Sequence, residues 1–110
     1  VKNQYGKRMK VLYDFNKIKI RLTEERFRHI SEHPEMLGQE NKITETLLSP
    51  EAVVQSLSDE KIKMYYRFYH GLVVGEKYLC VIVKFQDEDA FIVTAYFTDQ
   101  IKEGVVLWKR

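Results

Sequence analysis

From residue 63 onward, hydrophobic positions recur with a period of two in three blocks, 64–70, 78–85 and 90–98, each rich in aromatic and β-branched residues. That spacing places alternate side chains on opposite faces of an extended strand. The joining segments Gly71-Leu72-Val73-Val74-Gly75-Glu76 and Gln86-Asp87-Glu88-Asp89 are short enough for hairpins, so the blocks predict an antiparallel meander. Upstream, 9–14 and 18–22 predict a small ribbon turning near Phe15-Asn16-Lys17, the second strand alternating Ile18, Ile20 and Leu22 against Lys19 and Arg21.

The pattern changes to a helical one at Thr23, an N-cap followed by Glu24 and Glu25, whose charges suit a first helical turn. A helix over 24–33 is expected, stopped or bent by Pro34. Gly38 marks a second break before a helix over 40–48, with Ile43 and Leu47 on its apolar stripe. The run 53–57 is compatible with either helix or strand, and the tail 100–110 with a closing edge strand or an anchor at Trp108. The order of strand, helices and strands predicts an α+β fold in which N-terminal helices pack on a small antiparallel sheet. One domain across 1–110 is expected, with 1–17 as a peripheral N-terminal extension.

Composition narrows the function classes. The chain has 110 residues, 45% hydrophobic and 31% charged, a balance that supports a packed core and not a disordered segment. A net charge of +2 argues against a strongly basic histone-like binder and allows a local basic surface. Cys80 is the single cysteine, which rules out an internal disulfide or a cysteine-rich zinc site and fits a reducing compartment. No run approaches the ~18 apolar residues of a membrane span, and Val1-Lys2-Asn3-Gln4 carries no signal-peptide core. A cytoplasmic protein without membrane contact is expected.

The candidate chemistry lies in two remote segments. His29 and His33 stand four apart, on one helical face, and an imidazole there can act as acid or base near neutral pH. Histidines that merely pack or face solvent on a helix are the plainer alternative. The pair lacks the glutamate of H-E-x-x-H and a third ligand at a telling offset, so neither a metal nor a cofactor is expected. On the last meander strand Thr94, Tyr96 and Thr98 share one side, with Val93, Ala95 and Phe97 on the other. Threonine and tyrosine also favour strands for reasons unrelated to function. Tyr65, Arg67 and Tyr69 share a face that interleaves rings with a cation, a pattern suited to single-stranded RNA and equally to amphipathic packing. Lys84 is a candidate phosphate contact.

The stretch Leu22-Thr23-Glu24-Glu25-Arg26-Phe27-Arg28-His29-Ile30, with His33-Pro34-Glu35, Ser49-Pro50-Glu51 and Val93-Thr94-Ala95-Tyr96-Phe97-Thr98, resembles the phage-associated branch of the barnase, EndoU, colicin and RelE-like (BECR) nucleases. The resemblance spans 20–108. It implies a BECR-like α+β fold and a metal-independent endoribonuclease of toxin or phage-effector type, which cuts RNA by attack of the 2′-OH on the adjacent phosphate. On the matching positions, His29 and then His33 would move protons, while Thr94 and Tyr96 would hold the phosphate. RNA would be the substrate and a protein antitoxin a partner. Tyr65, Arg67, Lys84 and Thr98 are added as RNA contacts on geometric grounds. The alternative is a noncatalytic RNA-binding or protein-interaction module.

Overall fold

A computed structural model describes residues 9–110. Their order is β1 (Met9–Tyr13), β2 (Lys19–Thr23), α1 (Glu24–Ser31), a 3-10 turn (Pro34–Met36), α2 (Glu40–Leu48), β3 (Ala52–Gln55), β4 (Ile62–Leu72), β5 (Gly75–Gln86), β6 (Asp89–Thr98) and β7 (Val105–Lys109). All seven strands join one sheet in the order β1-β2-β6-β5-β4-β3-β7. Neighbours run antiparallel except β2 and β6, which meet in parallel at Arg21 and Phe91.

This overturns the expectation of N-terminal helices on a small antiparallel sheet. Strands make up 51% of the described residues and helices 20%, and the sheet is large and mixed. The chain begins its described part in the sheet, because the β1–β2 ribbon pairs laterally with β6 and does not stand apart. Residues 1–8 of the expected extension lie outside the described residues. The undecided 53–57 run contributes to β3, which is zipped between β4 and β7.

Local chemistry accounts for most of the elements. Thr23 caps α1 by accepting from the Arg26 N–H at 3.1 Å. Pro34 follows the end of α1 and starts the 3-10 turn, where its missing N–H costs nothing. Asp14 closes the β1–β2 turn, its Oδ1 accepting from the Asn16 and Ile18 N–H groups at 2.9 and 3.0 Å. Asp87, at φ 57°, supplies the left-handed residue of the two-residue β5–β6 hairpin.

Period-two alternation then divides the core. The helices cover one face, where Ile30, Met36, Ile43 and Leu47 pack on Ile20, Leu22, Tyr65, Leu79, Val81, Val83, Ile92 and Ala95. The opposite face carries a smaller cluster of Val54, Met64, Tyr66 and Cys80. Residues 99–104 lead from β6 to β7, which lie on opposite sides of β5, β4 and β3, and they cross this second face as a strap. The Lys102 N–H donates to the Tyr66 hydroxyl at 3.1 Å. Glycine is required at 104, because a Cβ there would lie 2.4 Å from the Gln55 carbonyl oxygen and 2.6 Å from Val54 Cγ1. No helix of the described residues is long and apolar enough to cross a membrane.

Candidate functional site

Strand register gives the face of the sheet opposite the helices a definite map. Thr94 stands beside Ile82 and Met64, Tyr96 beside Cys80 and Tyr66, and Thr98 beside Tyr78 and Phe68. Val93 is an extra residue at the bulge between the pairs Ile82–Thr94 and Val83–Ile92, and beyond it Phe91 lines up with Lys84 and Ile62. Arg21 extends that last row, its guanidinium 5.6 Å from the Phe91 ring centroid. Four rows thus carry rings, hydroxyls and cations on one side.

The rings touch in a chain. Tyr66 and Tyr78 meet edge-on with centroids 6.3 Å apart, Tyr78 and Phe68 at 5.0 Å, and Phe68 and His70 at 5.0 Å. Phe68, Tyr78, Thr94, Tyr96 and Thr98 are all half-buried, so each still presents part of its surface to solvent. Beneath the strap the Tyr66 hydroxyl donates to Met64 Sδ at 3.6 Å, beside the buried Cys80. Burial pushes Cys80 up to about 11 and Tyr96 up to about 12, so the cluster stays protonated at neutral pH.

The two cations of this face are held differently. Arg21 forms a two-pronged bond to Asp89, at 2.9 and 2.6 Å, which holds the aspartate below the usual carboxylate range. Lys84 Nζ lies 3.7 Å from Asp59. The Lys84 pair is long and solvent-accessible, and such pairs contribute only about 0–1 kcal/mol, so a phosphate can compete for Lys84.

The residues expected from sequence fall into separate places. Thr94, Tyr96, Thr98 and Lys84 all lie on the face opposite the helices. His29 and His33 do not join them: α1 packs through Ile30 and Phe27 on the other side of the sheet, and both imidazoles face solvent there. His29 Nδ1 is 3.5 Å from Glu32 Oε1 in its own helix. The single cleft expected from the two remote segments is therefore not formed.

Tyr65 and Arg67 also lie on the helix-covered side. Tyr65 is 2% exposed and donates its hydroxyl to Asp14 at 2.7 Å, while Arg67 Nη1 donates to the Ser49 carbonyl at the C-terminal end of α2 at 2.7 Å. Tyr69, in turn, donates to Glu45 at 2.7 Å and sits between the cations of Lys42 and Arg67. These contacts tie α2 to the sheet. The pattern of alternating rings was legible, but it was the other parity, Tyr66, Phe68 and His70, that the helices left bare, with Tyr66 buried under the 99–104 strap and Phe68 and His70 reaching solvent. Phe91, Tyr78 and Arg21 were not singled out by sequence, because their membership depends on cross-strand register and on the bulge.

Among the described residues no group of three or more His, Cys, Asp or Glu side chains is arranged to hold a metal ion. No protein-family model, curated protein or solved structure matches the chain.

Proposed function

We propose that the protein binds single-stranded RNA on the part of its helix-free sheet face that the 99–104 strap leaves open. The observation that carries this reading is the row of Phe68, Tyr78 and Thr98 beside Tyr96, with Thr94, Lys84 and Arg21 on the same side. Bases stack on half-exposed rings, hydroxyls reach ribose and phosphate, and the displaceable Lys84 pair releases its cation to the backbone. Tyr78→Ala is expected to weaken binding of a labelled single-stranded RNA about tenfold, since one stacked base contributes about 1–3 kcal/mol. Fluorescence anisotropy across a salt series checks it: affinity should fall as salt rises. Unchanged affinity in a folded Tyr78→Ala variant would remove the platform from consideration.

A second reading is metal-independent cleavage of that RNA, of the toxin or effector type implied by the sequence resemblance. His70 favours it. Its ring abuts Phe68, and its Nδ1 lies 3.3 Å from Glu76 Oε1, which places an imidazole and a carboxylate at one end of the proposed RNA path. Such a pair can take up the 2′-OH proton and pass it onward. In EDTA, His70→Ala should slow cleavage by about 10²–10⁴-fold, and His29→Ala should leave it unchanged. RNA that stays intact in EDTA, with any protein antitoxin removed, rejects cleavage and leaves the binding reading standing.

A further inference from the structure

We propose a second site: the cavity between the β1–β2 turn and the β3–β7 end of the sheet binds an amino-bearing nucleobase together with its phosphate. The cavity, of about 330 Å³, lies on the side of the sheet away from the RNA platform, so the proposal stands without that reading. A nucleobase and ribose fit within this volume. Its walls combine three features that one ligand class uses together.

The first is a ring wall. Trp108 and Phe15 lie with centroids 5.0 Å apart at a 44° tilt, and the indole is only half-buried. A planar ring can stack there. The second is Asp14, 3% exposed, whose carboxylate accepts from two backbone N–H groups and from Tyr65. Among the described residues no cation pairs with it. A carboxylate can accept about four hydrogen bonds, so one acceptor position is left for a donor entering the cavity. The third is Lys63, which lines the cavity and whose ammonium rests 4.3 Å from the neighbouring Phe85 ring centroid.

Electrostatics select among ligands. A simple organic cation would suit Asp14 and the rings but is opposed by Lys63. A carboxylate ligand would suit Lys63 but is opposed by Asp14. A neutral ring with an exocyclic amine and an anionic substituent satisfies both, and cytosine or adenine carrying a phosphate has this form. Uracil presents a carbonyl where cytosine presents the amine, so it would set an acceptor against the carboxylate.

Trp108 is the only tryptophan in the chain, so its fluorescence reports this cavity alone. Titration with cytidine monophosphate should quench it saturably, and uridine monophosphate should bind about tenfold more weakly, the loss expected when one hydrogen bond to a charged group is removed. Lys63→Ala should reduce the affinity for cytidine monophosphate to that for cytidine. An oligocytidine provides a further arm: quenching by the mononucleotide assigns the ligand to free nucleotide, and quenching by the oligomer alone assigns it to a residue of RNA. Tyr78→Ala should leave the quenching intact, which separates this site from the platform. Equal binding of the cytidine and uridine nucleotides, or no saturable quenching by either monophosphate or oligomer, would overturn the proposal.

Discussion

Asp14→Ala is expected to lower the stability of the protein by about 3 kcal/mol, a large share of the roughly 5–15 kcal/mol typical of a domain this size. The side chain is 3% exposed and serves three donors: Asn16 N–H, Ile18 N–H and the Tyr65 hydroxyl. Alanine removes all three acceptor contacts at once. The Tyr65 hydroxyl is the most costly to abandon, because it is buried and each orphaned donor costs about 1–3 kcal/mol. The turn also positions the Phe15 N–H, which donates to the Leu47 carbonyl at 3.0 Å and so fastens the ribbon to the end of α2. Tyr65→Phe provides the graded comparison. It removes one of the three bonds and leaves both backbone contacts, so about 1–2 kcal/mol is expected. Urea midpoints at neutral pH measure both, and an Asp14→Ala variant no less stable than Tyr65→Phe would show that the carboxylate does not organise the turn.

Alkaline pH should unfold the protein cooperatively, its buried phenols ionising together as the fold is lost. Tyr65, Tyr66, Tyr96 and Cys80 all have pKa values raised chiefly by burial, Cys80 to about 11 and Tyr96 to about 12. Asp14 raises Tyr65 further by accepting its proton-bearing hydroxyl. In the unfolded chain these groups release protons near their ordinary values, 9.0 for the thiol and 10.0 for phenols. The folded state therefore holds more protons in that range, and stability falls as pH rises. It is fully present below about 9 and is lost progressively from there up to about 12, as the raised values of Cys80 and Tyr96 are reached. Phenolate absorbance should rise in a step that coincides with loss of circular dichroism. A gradual titration of every tyrosine with the fold retained would contradict this account.

Individual elements were largely legible, because each is governed by neighbours in sequence. α2 forms over 40–48 as its apolar spacing predicts, while the helix expected over 24–33 stops at Ser31 and Pro34 opens the 3-10 turn beyond it. The blocks at 64–70, 78–85 and 90–98 all lie inside β4, β5 and β6. β3 was less legible: Ala52, Val53 and Val54 are all buried, so no alternation separates a strand covered on both sides from a helix segment. The sheet's size escaped prediction for a related reason. β2 joins β6 through an isolated parallel contact far away in sequence, and no local pattern marks such a contact.

The site divides along the same line. The chain alone determined that Thr94, Tyr96 and Thr98 share a face and that His29 and His33 lie in or just beyond one helix, since both follow from the repeat of a strand or helix. Only the tertiary structure decided that the sheet stands between those two sets. It also decided that Arg67 and Tyr65 brace α2 and the first turn while Phe68 and Tyr78 stay open. The reason is physical: periodicity assigns residues to faces, but which face receives the helices depends on where distant apolar surfaces can be buried together, a property of the whole packed chain.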